Sequence, residues 1–385
     1  MHIVADENIP LLDEFLGGFG RLTRLPGRLI DHTSVKDADV LLIRSVTRVD
    51  AAMLAGTPVR FVGTCTIGTD HLDLPGLAAA GVVTASAPGC NARGVVEYVL
   101  SCLLALAERS ASAWQDKLVG IVGVGEVGSR LATTLHALGI DTLCCDPPRA
   151  AQGAEGMVTL DELISRCDVI SCHVPLTREG PDATYHLFNE QRLRALRPGT
   201  WLINSSRGPV IDNTALKVVL QDRPDLLVAL DVWETEPLVD PQLASRCALA
   251  TPHIAGYSLD GKLRGTAQIY QALCQFLDLP ATLTLEQLAP RTGAGQWIME
   301  PGTPADWLLT RALRYIYDVR DDDARLRAML AQAATDQASR EGFDRLRKDY
   351  PLRRECNLLR INTAASEPQI IRRLIAAGFA ADDET

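Results

Sequence analysis

The sequence predicts an α/β protein built on two doubly wound parallel sheets, with a third, mainly helical unit at its C terminus. Three observations predict it. Up to Ala92, short apolar runs alternate with helical patterns, as in parallel strands joined by crossover helices. From Lys117 a second alternating series passes through six strand-like runs in succession. Beyond Pro290 the pattern changes to amphipathic helices with little strand character and no glycine-rich loop. At roughly 100–200 residues per domain, a chain of 385 residues accommodates these units.

In the first series the strands are MHIVAD, DVLLIRS, RFVGTC and VVTASA, each closing on polar or small residues. VDAAMLAG and LPGLAAAG between them read as helical. A long helix is expected from Ala92 to Trp114. Its most apolar part, Val95 to Ala107, is too short to span a bilayer and contains Glu97, so it reads as a buried helix. The second series comprises LVGIVGV, DTLCCD, DVISCHVPL, GTWLINSS, LLVALDVW and CALATPH. LRGTAQIYQALCQFL then returns the chain toward the first domain, and Leu279 to Pro290 reads as a linker. In the tail, PADWLLTRALRYIYDV and DARLRAMLAQAA are the clearest helices. The expected division is 1–92 with 257–285, then 93–256, then 286–385, the last an assembly domain.

A net charge of −10 argues against general affinity for nucleic acid or an anionic membrane surface. It leaves room for a small anion in a local positive pocket. MHIVADENIP shows no basic leader before an apolar run, so no signal peptide is expected. The ten cysteines form no CxxC pair, and adjacent Cys144 and Cys145 do not easily share one metal. Reduced, buried thiols of a cytoplasmic protein are expected, with no metal site.

GVGEVG, from Gly123 to Gly128, matches GxGxxG in the right context. A strand leads in, a helical run leaves, and Asp146 closes the next strand. Gly123 permits the tight turn, Gly125 lets the backbone approach a pyrophosphate, and Gly128 lets helix and strand pack closely. The helix N-terminus, beginning with Glu126 and Val127, offers amides to phosphates. Asp146 suits an adenosine ribose and repels an extra ribose phosphate. NAD is therefore the expected cofactor, although Arg149 stands nearby. Val174, Ser205, Ser206, Arg207, Asp231 and Gly256, at or near later strand ends, are the other expected cofactor neighbours. His71 and His173 are expected to be structural.

Arg207 follows WLINSS, Glu236 follows VALDVW and His253 follows ALATP, so three polar groups leave three successive strand ends. Taken alone, Arg207 also suits a helix cap or a surface ion pair. Together the three fit alcohol oxidation. A base must take the hydroxyl proton, a carboxylate must orient that base, and a guanidinium can grip an acid with two prongs.

The ordered set GxGxxG, NSSRG, DVWETEP and TPHIAG resembles the D-isomer-specific 2-hydroxyacid dehydrogenases over roughly Met1 to Phe276. The resemblance implies a Rossmann NAD-binding domain and a flavodoxin-like substrate domain. It also implies that Arg207 holds the substrate carboxylate, His253 moves the hydroxyl proton and Glu236 supports His253. IRSVT, CTIGTDH, APGCNARGVVEYV, HIAGYS and the tail's FDRLRKDYPLRRE resemble members that act on a small phosphorylated hydroxy acid as homodimers through a C-terminal dimerisation domain. In those members Ser45, Thr66 and Tyr257 correspond to substrate contacts. Arg44 and a basic cluster of Arg345, Arg347, Lys348, Arg353 and Arg354 are candidates for meeting the phosphate or a partner subunit. A solvated face or interface salt bridges explains the cluster more simply. Two alternatives stay open: a family member acting on 3-phosphoglycerate or on glyoxylate and hydroxypyruvate, and a non-enzymatic NAD-sensing protein on the same fold.

Overall fold

Near-continuous apolar runs make strands buried on both faces, as parallel sheets require. The structure, a computed structural model, describes residues 1–289, 295–298, 304–362 and 368–381. Its first sheet holds β1 (His2–Asp6), β2 (Arg21–Leu25), β3 (Val40–Ile43), β4 (Phe61–Thr64) and β5 (Val83–Ala85). All pairs are parallel, in the order β2-β1-β3-β4-β5, the flavodoxin-like arrangement. β2 is missing from the expected strands. It lies at the sheet edge, where Arg21 and Arg24 reach solvent, so RLTRL lacks a buried strand's apolar run. The expected helix over VDAAMLAG is also a correction, because this segment is a series of turns. Gly56 adopts a positive φ and Pro58 follows closely, which leaves a helix no room to propagate.

The helix Leu259–Phe276 completes this unit. Its Ile269, Tyr270 and Leu273 share a buried core with Ile3, Phe15 and Phe61.

The second sheet holds β6 (Val119–Val122), β7 (Thr142–Cys145), β8 (Val169–Cys172), β9 (Trp201–Asn204), β10 (Leu227–Leu230) and β11 (Leu249–Ala250). The order is β11-β10-β9-β8-β6-β7, again all parallel. The chain winds from β6 outward to β7, then reverses to β8 on the other side of β6. Ligands of such sheets bind beyond the strand ends at that reversal. The preceding helix spans Ala92–Ser110 and ends at Ala111, which has a positive φ, so it stops short of the expected Trp114.

The tail departs from its expected character. β12 (Gln296–Ile298), β13 (Arg360–Asn362) and β14 (Ala380–Ala381) form a third parallel sheet in that order. Strands of two or three residues are too short to display a period of two in sequence. The tail helices Ala305–Ile316, Val319–Gln332, Asp336–Lys348 and Pro368–Ala377 complete it. Leu326 and Phe343 are fully buried in the same core as Trp233, Val239, Leu243 and Cys247.

Contacts accordingly divide the chain into two compact units, Met1–Asn91 with Tyr257–Thr292 and Ala92–Gly256 with Gly293–Thr385. Among the described residues no helix is long and apolar enough to cross a membrane.

Because Phe343 belongs to that shared core, Phe343→Ala is expected to destabilise the whole second unit by about 3–5 kcal/mol. Urea unfolding followed by fluorescence and by circular dichroism checks this. A separate early transition of the tail, with the remainder unaffected, would contradict the shared core.

Candidate active site

The glycine turn sits where the second sheet reverses. Gly123 has φ +88, a conformation open to glycine at little cost, and a Cβ there would lie 2.7 Å from the His173 carbonyl oxygen and 2.8 Å from Val174 Cγ1. Val174 is thereby placed beside the turn. At Gly128 a Cβ would stand 1.9 Å from the Gly123 carbonyl oxygen, so this helix and strand pack as closely as the motif demands. Gly125 differs, since among the described residues nothing beyond its own chain neighbours lies within 4 Å of its Cβ position. Gly125 is also the N-cap of the helix Glu126–Ala137 and offers no side chain to its amides. Glu126 is exposed and Val127 half-buried. Open space over uncapped amides fits a pyrophosphate.

Asp146 follows β7. One carboxylate oxygen accepts from the Val124 amide at 2.8 Å, and the other caps the helix Pro147–Ala151 through Arg149 N at 3.1 Å. The acid is thus tied to the glycine turn.

Arg207 follows β9 in a turn built on a buried amide side chain. Asn204 Oδ1 accepts from the Ser206 amide at 3.1 Å and from its hydroxyl at 2.8 Å, while Nδ2 donates to the Arg207 carbonyl at 3.0 Å. Arg207 itself donates from Nη1 to the Ser206 carbonyl at 2.8 Å and stays half-buried. The Ser205 hydroxyl is buried and has no hydrogen-bond partner among the described residues. Gly208 lets this turn touch the next one, because a Cβ there would lie 2.0 Å from the Trp233 carbonyl oxygen.

Asp231 follows β10 and is buried. It accepts from Thr251 Oγ1 at 2.7 Å, from the Ile254 amide at 2.8 Å and from the Ala255 amide at 2.9 Å. Burial pushes its carboxyl above the usual range, against the opposing pull of His253 and these donors. The turn it grips carries His253, whose φ of 57° is uncommon for a residue with a side chain. His253 Nδ1 donates to Glu236 Oε2 at 2.7 Å, and Glu236 Oε1 accepts from the Trp233 amide at 2.8 Å. Burial raises the Glu236 carboxyl, but His253, its hydrogen bond and Arg347 outweigh this and hold it below the usual range. An ionised carboxylate only accepts, so Nδ1 carries the proton and Nε2 of the neutral ring is left to take one. Gly256 follows, half-buried.

In the first unit, Ser45 is exposed in the turn after β3. Neighbouring Arg44 faces buried Asp6 at 3.8 Å. Thr66 donates to the Gly68 carbonyl at 3.0 Å and meets Thr64 Oγ1 at 2.7 Å, and His71 Nε2 also reaches that Thr64 hydroxyl. Tyr257 lies with its ring 4.5 Å from Lys262 Nζ. The expected basic cluster does not hold together as one patch. Arg345 and Lys348 are exposed, Arg347 is half-buried, and Arg353 and Arg354 are buried.

Sequence reasoning missed the groups that hold the site in shape: Asn204, Thr251 and Tyr98, whose hydroxyl meets Thr251 Oγ1 at 2.9 Å. Asn204 and Thr251 were recognisable as polar residues at the ends of apolar runs. Nothing in sequence connects Tyr98 to them.

Residues 105–255 match the family model described as the NAD binding domain of the D-isomer specific 2-hydroxyacid dehydrogenases, and 295–375 match a domain of unknown function, DUF3410. The molecule is therefore an NAD-dependent dehydrogenase of the 2-hydroxyacid class. It is 54% identical over 381 residues to the erythronate-4-phosphate dehydrogenase of Pseudomonas fluorescens (strain Pf0-1), covering 98% of each chain. It is 55% identical to that of Stutzerimonas stutzeri (strain A1501), covering 98% of this chain and 99% of the relative. Similar solved structures include D-lactate dehydrogenase from Aquifex aeolicus with NAD and lactic acid, at 25% identity and TM-score 0.60, covering 72% of this chain and 96% of that one. NAD-bound 3-phosphoglycerate dehydrogenase from Entamoeba histolytica gives 25% and 0.63, covering 72% and 95%. The chain belongs to the erythronate-4-phosphate dehydrogenase family.

Two measurements follow from this geometry. Gly125→Ala is expected to keep the melting temperature while weakening NADH binding about tenfold or more, read by fluorescence titration, because the added methyl meets ligand space rather than protein. Equal affinity would remove Gly125 from the cofactor site. The second concerns His173, which burial holds down to about 4. An unfolded ring near 6.5 takes a proton that the native ring refuses, so His173 subtracts stability as pH falls from about 6.5 to about 4. His173→Gln should flatten that decline by roughly 1–3 kcal/mol, measured by denaturant unfolding across the window.

Proposed function

We propose that the chain oxidises 4-phospho-D-erythronate to (R)-3-hydroxy-2-oxo-4-phosphobutanoate, in the biosynthesis of pyridoxine 5'-phosphate. The observation that carries the chemistry is the 2.7 Å bond from His253 Nδ1 to Glu236, which leaves Nε2 as the proton acceptor. The substrate rests on the shared name of relatives that match nearly the full length.

His253 takes the C2 hydroxyl proton at Nε2 as the carbonyl forms, and Glu236 stabilises the imidazolium that results. Arg207 grips the substrate carboxylate and orients C2. Bound NAD would supply the acceptor for the hydride that leaves C2. Gly123, Gly125, Gly128 and the first-turn amides of Glu126 and Val127 would hold its pyrophosphate, and Asp146 would accept from its ribose. Val174, Ser205, Ser206, Arg207, Asp231 and Gly256 border the remainder. Ser45, Thr66 and Tyr257 contact the substrate.

We read the tail as a homodimerisation surface, a reading supported by Trp307, Tyr315 and Ile375, which are 54%, 70% and 45% exposed. Ten free thiols suit a reducing compartment, and we assign the chain to the cytoplasm.

Reduction of NAD, followed at 340 nm with 4-phosphoerythronate and 3-phosphoglycerate in parallel, tests the assignment. A clear preference for 3-phosphoglycerate would reject it. His253→Ala is expected to lower kcat by about 10²–10⁴-fold with NAD affinity retained. Arg207→Ala should lose both kcat and substrate affinity.

A further inference from the structure

The tail reaches the catalytic pair by two routes. Arg353 is 5% exposed, yet it lies 98 positions along the chain from the turn it touches. Its Nη1 donates to the Ala255 carbonyl at 3.1 Å and its Nη2 to the Gly94 carbonyl at 2.6 Å. Its guanidinium stacks 3.7 Å over the Tyr317 ring, and Glu97 lies 3.4 Å away. Ala255 stands two positions after His253, and its amide is already held by Asp231. The His253 turn is therefore fixed through one residue from both sides, by a sheet carboxylate and by a tail guanidinium.

The second route runs along the helix Asp336–Lys348. Phe343 is fully buried in the core that contains Trp233, whose amide holds Glu236. Arg347 lies one turn further on, with its guanidinium 5.9 Å from the Phe343 ring. From there its charge acts on Glu236, second among charged groups to His253.

We propose that the C-terminal segment is a working part of the catalytic apparatus: Arg353 fixes the turn that carries His253, and Arg347 supplies positive charge that steadies Glu236 as its hydrogen-bond partner. Both are positioning residues. The inference rests on the dehydrogenase reading of the Glu236 and His253 pair. Among the described residues, the charged groups that bear on that pair include Arg347 from the tail helix and Asp231 from the end of β10, beside the two partners themselves. Removing a cation makes every nearby protonation easier. Truncating Arg347 therefore raises the pH at which the pair gains a proton and loses its basic form.

The test uses the full chain, with kcat/KM for 4-phosphoerythronate measured across pH. Arg347→Met should move the acid limb upward by about 0.5–1 pH unit, with KM for the substrate nearly unchanged. Arg347→Lys should return the limb to its wild-type position. An unmoved limb, or a loss confined to KM, would overturn the role of Arg347 and make it a substrate clamp instead. For Arg353, truncation strands Glu97 in the interior, so Arg353→Lys keeps the charge while giving up the paired contacts to Ala255 and Gly94. It should lower kcat several-fold with NAD affinity and folding cooperativity retained, and an unchanged kcat would overturn that half. A wild-type chain that fails to turn over 4-phosphoerythronate would sink the dehydrogenase reading itself, a result distinct from either.

Discussion

The site depends on one buried carboxylate. Asp231 sits at the end of β10, out of contact with water, and accepts three hydrogen bonds from residues 251–255. A charge in such a place is tolerated only when its acceptor sites are filled. Each of those bonds fixes part of the turn that follows β11. The left-handed backbone of His253, which costs on the order of 1–3 kcal/mol, persists because the surrounding amides are already committed. Release this carboxylate and the turn that aims the imidazole loses its anchor to the sheet.

Around that anchor, adjacency in the sheet does the remaining work. β9, β10 and β11 are spatial neighbours in the order of the chain, so Arg207, Glu236 and His253 emerge side by side although far apart in sequence. The absence of a side chain at Gly208 brings the first turn against the backbone of the second. Polar side chains at the strand ends, Asn204 and Thr251, then take up the backbone and carboxylate groups that a bend leaves behind. The cofactor half obeys the same economy of space, with Asp146 tied by hydrogen bond to the glycine turn it serves.

Much of this was legible in the sequence, and the reasons are physical. Buried parallel strands are apolar runs, so all six strands of the second sheet could be read directly. The glycine motif and the order of Arg207, Glu236 and His253 were likewise visible, because each lies where an apolar run stops. β2 was not, since an edge strand owes little to burial. Nor were the short strands of the tail, which pair without alternation long enough to detect. The basic residues near the C terminus read in sequence as a single cluster, open to a phosphate, a partner subunit or solvent. Sequence does not distinguish an arginine that faces water from one such as Arg353, whose fork closes on two carbonyls inside the protein.

Neither compact unit is a continuous stretch of polypeptide. The first sheet needs the helix Leu259–Phe276 to cover it, and the core of the second borrows Leu326 and Phe343 from the far end. During synthesis, at roughly 5–20 residues per second, the glycine turn emerges long before the side chains that seal the layer behind it. The first unit therefore waits for a helix that ends only at Phe276 and the second for side chains as late as Phe343, and the nascent intermediate carries exposed apolar surface throughout that wait.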